Sequence, residues 1–352
     1  LAQNYLQDLL KLGATALEGV PVLSQLVVRF ALHSSESRVL FLTYELLFFA
    51  LILALAALLL KSHDAPKDAL VVTTTLGRHH TARQHLLKAG LAQCDYFTFH
   101  RHGGLKLPEA RFWTGFGEDA REHAAELKWV RERLADEASR ELFDSLVNLR
   151  LSANPACIAS FRENQANQYF EPFLDLQPAG ESFADIGCFD GRTSADFIER
   201  CPQFNAVHIF EPDPNNLAVI QAKFAGQGKV HCHPVGLGDA KTTVRFSSSG
   251  STSAITDDGD LEIQIERLDG FGIDGITFLK MDIEGAELGA LAGACETIRR
   301  CHPRLAICVY HQASDLWRIP QEVFTIRDDY TIYLRHYTEG VTETVMFFMP
   351  KK

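Results

Sequence analysis

The residues best placed to do chemistry fall into two groups. In "ESFADIGCFDGRTSADF" (181–197) an apolar run ends in Asp185, and Gly187 and Gly191 follow before a helix-like segment. Glycines at such a corner let a backbone approach a ligand closely and leave amides pointing outward. The next apolar run ends in "FEPDP", with Glu211 at its tip. A carboxylate there has two acceptor oxygens for the two hydroxyls of a ribose. The second group is Asp282 and Glu284 in "KMDIEGAE", with His311 closing "AICVYH". Carboxylates and an imidazole are the side chains that take a proton from a reacting hydroxyl. His336 in "RHYT" is a weaker candidate for the same task.

These residues need elements that bring them to one edge. From about residue 165 to 352 the pattern alternates strand and helix. Strands are read at "SFADIG", "AVHIFEP", "KVHCHPVGLG", "TTVRFS", "LEIQIERL", "ITFLKMDIEG", "LAICVYH", "YTIYLRHY" and "TVMFFMP". Helices are read at "RTSADFIERC", "DPNNLAVIQAKFAG", "GAELGALAGACETIRRC" and "DLWRIPQEVFTI". The order predicts an α/β, doubly wound sheet with a hairpin and late antiparallel strands. Ligands of such sheets sit beyond the carboxyl ends of the strands. That is where all the residues above fall. Topology makes the "ITFLKMDIEG" strand the neighbour of "SFADIG". If that strand persists, alternation puts Asp282 and Glu284 on one side.

The dinucleotide fingerprint G-x-G-x-x-G is missing, since Phe189 stands where its middle glycine would be and Asp190 follows. An acid beside a pyrophosphate is repulsive. The corner suits a cationic or zwitterionic ligand, which turns the reading from NAD towards S-adenosylmethionine.

The chain resembles the FkbM family of S-adenosylmethionine-dependent methyltransferases. The stretches that carry the resemblance are "FADIGCFDGRTSADF", "FEPDPNN", "VGLGD", "IERLD", "ITFLKMDIEGAELGALAGA", "CVYH" and "HYT", across roughly residues 183 to 338. The resemblance implies a class I, Rossmann-like methyltransferase fold and O-methylation of a hydroxyl on a sugar, glycan precursor or natural product. It implies that Asp185, Gly187 and Gly191 hold the methionine end of the cofactor and that Glu211 binds the ribose. Pro212 and Asp213 would flank the ribose, and Asp239 would lie near the adenine. Methyl transfer from a sulfonium is an in-line displacement that needs alignment first and a base second. His311 or Asp282 is the expected base, with Glu284 orienting a partner or the substrate. Two carboxylates and a histidine are also donors for a divalent ion, but no metal is assigned.

The rest of the chain divides into an apolar, helical segment (1–62), a partial nucleotide-binding-like α/β unit (63–116) and a helical connector (117–164). The α/β unit is read as strand "DALVVTTTLG", helix "HHTARQHLLKAG" and strand "CDYFTFH", without a glycine fingerprint of its own. "SSSGSTSAIT" (247–256) is a loop by composition. The formal charge of −11 argues against a nucleic-acid partner. Eight scattered cysteines without metal spacing suit a reducing, cytoplasmic location. The chain opens on Leu1, as a fragment would, and shows no signal peptide. "LLFFALILALAALLL" (46–60) falls short of the roughly 20 residues of a membrane span, and extending it to Val39 takes in Glu45. A buried or interfacial helix is the first expectation for residues 39–60, and a true membrane span the second; either membrane-facing form would associate the chain with a membrane. Two other functions remain open at this stage. One is an NAD-linked oxidoreductase, and the other a non-catalytic scaffold on the same fold.

Overall fold

The computed structural model describes residues 70–351, apart from Leu76, Lys106, 108–111, 248–253, 256–258 and Asp260. The predicted segment 1–62, with the apolar stretch 39–60, lies outside the described residues. No described helix is long and apolar enough to cross a membrane.

The first elements form a small parallel unit: β1 (Leu70–Thr73), α1 (His79–Lys88) and β2 (Ala92–Asp95), with β1 and β2 paired in parallel. Gly90 follows α1 in the left-handed conformation that closes helices. The "CDYFTFH" strand is only half right. It ends at Asp95, and α2 (Tyr96–His102) takes over. Asp95 caps that helix, accepting from the Thr98 amide at 2.9 Å. Local capping overrides the aromatic β-propensity.

Three helices follow: α3 (Phe116–Glu122), α4 (Ala124–Arg133) and α5 (Glu137–Ser152). Their apolar residues Phe116, Val130 and Leu146 join one hydrophobic core with the main sheet.

That sheet is built from β3 (Ser182–Ile186), α6 (Arg192–Arg200), β4 (Ala206–Phe210), α7 (Pro214–Lys223) and β5 (Val230–His233) on one side. A four-stranded accessory sheet interrupts it, made of β6 (Gly236–Leu237), β7 (Thr242–Ser247), β8 (Ala254–Ile255) and β9 (Leu261–Glu266) in the order β6-β9-β7-β8. The main sheet resumes with β10 (Phe278–Met281), α8 (Glu287–Gly293), α9 (Cys295–Cys301), β11 (Arg304–Cys308), α10 (Asp315–Ile326), β12 (Tyr330–His336) and β13 (Thr344–Pro350). Its order is β12-β13-β11-β10-β3-β4-β5, with β13 antiparallel to both of its neighbours. The doubly wound sheet with late antiparallel pairing is therefore present. β3 and β10 are buried throughout, as parallel strands covered by helices on both faces must be.

Three predicted elements differ. "KVHCHPVGLG" is two strands in two sheets, because Pro234 cannot donate to a ladder and a tight turn joins the Val235 amide to the His233 carbonyl at 2.9 Å. "GAELGALAGACETIRRC" breaks at Ala294, beside the point where Gly293 meets the Gly238 backbone. The "ITFLKMDIEG" strand stops at Met281, and Glu284 and Gly285 take positive φ.

Winding reverses between β3 and β10. Such a switch point opens a crevice beyond the strands' carboxyl ends.

Candidate active site

The β3 side of the crevice is the glycine turn. Gly187 has φ +76°, and a Cβ there would stand 2.0 Å from the Asp282 carbonyl oxygen. Only glycine lets the turn after β3 touch the end of β10. Gly191, at φ +74°, starts α6. Asp185 is fully buried. It accepts from Ser194 Oγ at 2.7 Å and lies 3.3 Å from Lys280 Nζ, its register neighbour on β10. Lys280 also donates to the Gly187 carbonyl. Asp185 thus fastens the turn from beneath. Burial opposes the charged ammonium of Lys280, yet Asp185 and Asp282 hold its pKa above the usual lysine range.

Glu211 ends β4 with its carboxylate directed into the turn. It accepts from the amides of Phe189 and Asp213, each at 3.0 Å, and has Asn216 Nδ2 at 3.5 Å. Burial pushes its carboxyl up, and those donors pull it back. Asp213 is the cap of α7, accepting from the Asn215 amide at 2.8 Å, with Pro214 in the first turn. Asp239 is exposed in the turn after β6, its carbonyl tied to Arg267.

The β10 side is a cluster centred on His311. Its Nδ1 is 2.9 Å from Glu287 Oε1. Its Nε2 is 3.4 Å from Asp282 Oδ1 and 3.8 Å from Glu284 Oε1. The three residues expected from sequence to act together do meet. Burial disfavours the imidazolium, but the Glu287 bond and the surrounding carboxylates outweigh it and raise His311 to about 9. At neutral pH the imidazole already carries its proton, so the carboxylates are the better proton acceptors. Burial also opposes the ionised form of Asp282, but Lys280, His311 and the Tyr169 hydroxyl at 2.7 Å hold its carboxyl below the usual range.

Several residues here escaped sequence reading. Glu287 is 1% exposed and caps the loop, accepting from the Ile283 amide at 2.9 Å. It read only as an acid in a helix's first turn. Lys280 did leave a signal, as the lone charge in an apolar strand. Tyr169, Gln168 and Glu343 left none, because they arrive from distant loops. Gln168 bridges Tyr169 and Glu343, and burial raises Glu343 to about 7. Tyr169, Phe189, Glu284 and Glu343 are four of the seven described non-glycine residues with positive φ. Strain of that kind gathers where function needs a fixed geometry.

His336 stands apart. Its Nδ1 meets Thr344 Oγ1 at 2.8 Å and its ring packs on Phe161. Burial lowers it to about 3, which makes it a structural residue.

Residues 185–335 match the model of the methyltransferase FkbM domain. The methyltransferase FkbM of Methylobacillus flagellatus KT, known from its crystal structure, superposes with a TM-score of 0.66 at 26% identity, over 80% of this chain and 74% of that one. The fold is that of the class I, Rossmann-like methyltransferases. The 2-O-methyltransferase NoeI of Sinorhizobium fredii is 28% identical over a 145-residue alignment, with 33% of this chain and 58% of that protein covered. The glycine turn, Glu211 and the His311 cluster all lie within the FkbM domain.

Proposed function

We propose that the chain is an S-adenosylmethionine-dependent O-methyltransferase acting on a hydroxyl of a sugar or glycan precursor. The observation that carries this is the juxtaposition across β3 and β10. A glycine turn with a ribose-competent acid stands on one strand end, and a carboxylate-rich cluster stands on the next. The FkbM domain and the 2-O-methyltransferase among its relatives support the same reaction class.

S-adenosylmethionine supplies a methyl group on a sulfonium. The residues present fit it at the ribose, where the Glu211 carboxylate is already oriented by two amides and can accept from both hydroxyls. Gly187 lets the turn close on the Asp282 carbonyl and Gly191 lets it pack against Phe224, which fixes the turn's backbone beside the ribose site. Asp185 acts at one remove, holding the turn through Lys280 and Ser194. Asp239 is proposed to border the adenine from its turn after β6. The acceptor hydroxyl lies against Asp282, Glu284 and His311, where surplus negative charge draws off its proton as the bond forms. An open depression of about 480 Å³ is lined in part by Gln312, Ala313 and Ser314, the residues that follow His311 in the chain. Alignment of the two reactants contributes a large share of the rate.

The test is transfer of a labelled methyl group from S-adenosylmethionine to pooled glycan acceptors, paired with calorimetry. Adenosylhomocysteine should bind and NADH should not. Absence of adenosylhomocysteine binding by the folded protein would overturn the reading, and NADH binding would replace it with an oxidoreductase.

A further inference from the structure

The His311 cluster is built for more than one proton. Three acidic side chains, Asp282, Glu284 and Glu287, approach a single imidazole. His311 is 6% exposed and Glu287 is 1% exposed, so this is an interior site. Yet His311 Nε2 and Asp282 Oδ1, although buried, have no hydrogen-bond partner. A buried polar atom left unpaired is costly, and native structures rarely tolerate one without a reason. Here the two atoms meet as an ion-pair contact at 3.4 Å, without hydrogen-bond geometry. Two ligand atoms of one ion, each bound at about 2.1 Å, stand roughly 3.0–3.4 Å apart. Donor atoms of Asp282, Glu287 and His311 all lie within 4.8 Å of one another.

The other ring nitrogen completes the pattern. His311 Nδ1 is held by Glu287 at 2.9 Å, and Glu287 is held in turn by the Ile283 amide. A metal-binding imidazole characteristically donates its second N–H to a carboxylate, which fixes tautomer and ring plane.

We propose that Asp282 and His311 bind a divalent cation of the Mn²⁺ or Mg²⁺ type that displaces the Nε2 proton, with Glu284 reaching the ion from its part-exposed loop and Glu287 as the positioning residue for the imidazole. Two carboxylate oxygens and one imidazole nitrogen match such an ion better than a thiophilic one. The assignment reverses the expectation that the carboxylates and histidine act without a metal. Its role, though not its existence, rests on the methyltransferase reading. When bound, such an ion would acidify a hydroxyl brought to it, and the carboxylate oxygens of Asp282 and Glu284 would remain the proton's destination.

The experiment is Mn²⁺ titration of the metal-stripped full chain, followed by the electron paramagnetic resonance signal of free Mn²⁺. One ion per chain should bind, competed by Mg²⁺. Pulsed measurements should show nitrogen coupling that vanishes in His311→Gln. Glu287→Gln should weaken binding about 10–100-fold, the usual effect of removing an orienting partner. Because Glu287→Gln also removes a cap and can misfold, Glu284→Gln, on a part-exposed loop, is the second variant and should weaken binding by at least a similar factor. No bound Mn²⁺, no nitrogen coupling, or unchanged affinity in folded Glu284→Gln would each overturn the proposal. Adenosylhomocysteine calorimetry on the same samples separates the two readings. If the nucleoside binds and Mn²⁺ does not, the metal assignment alone fails. If Mn²⁺ binds and the nucleoside does not, the methyltransferase reading alone fails.

Discussion

Two charged groups flank the carboxyl end of β10, and they are opposites. On the β3 side, Asp185 and Lys280 form a balanced pair, with side chains 0% and 2% exposed, backed by Ser194 and the Gly187 carbonyl. On the β11 side, Asp282, Glu284 and Glu287 surround one histidine, so the acids outnumber the base. The balanced pair is closed to solvent and holds a turn. The unbalanced cluster keeps two of its acids part-exposed, with side chains 23% and 28% accessible. Charge that is matched inside the fold serves the fold. Charge left in excess at a strand edge waits for something the fold does not contain.

The sharpest way to break this contrast is to neutralise one acid on each side. Asp282→Asn should lower labelled methyl transfer about 10²–10⁴-fold, the usual worth of a positioned proton acceptor, while the protein stays folded. Near-normal turnover would remove Asp282 from the chemistry. Lys280→Met should do the reverse. It strands Asp185 as a buried, unpaired carboxylate and should destabilise the fold by about 3–5 kcal/mol in a urea melt. The double variant Asp185→Asn/Lys280→Met should recover most of that. If Lys280→Met melts like the parent, the pair is not the scaffold described here.

Gly187→Ala joins the two regions, because its Cβ would strike the Asp282 carbonyl. Backbone strain of about 1–3 kcal/mol should appear in the melt, together with weaker adenosylhomocysteine binding. A fall in stability with binding untouched would show that the turn does not shape the ligand crevice.

A histidine with no acid beside it gives a baseline. His336 titrates near 6.5 when unfolded and at about 3 in the fold, because burial disfavours its charge. Between those values the unfolded chain binds the extra proton, so stability should rise with pH. It should be lost again on acidification below about 6.5. The contribution is about 1.4 kcal/mol per pH unit, and His336→Gln should flatten the profile by that slope. An unchanged slope would mean that the ring is not held neutral.

Much of this was present in the order of residues alone. Alternating apolar runs and helical segments determined a doubly wound sheet, and glycine and acid at each run's end determined which edge carries the ligand. Those signals are local, since a strand's burial and a turn's need for positive φ are properties of a few neighbouring residues. The break of "KVHCHPVGLG" at Pro234 was equally local but was outweighed by its β-branched and aromatic neighbours. What only the tertiary structure decided was partnership. Asp185 and Asp282 are both acids at adjacent strand ends, and nothing in their own surroundings says that one is neutralised by Lys280 and the other crowded by Glu284, Glu287 and His311. Tyr169 and Glu343 reach the site from segments far away in the chain. Electrostatic energy depends on distance in space and on exclusion of water, and neither is written in the spacing of residues along the backbone.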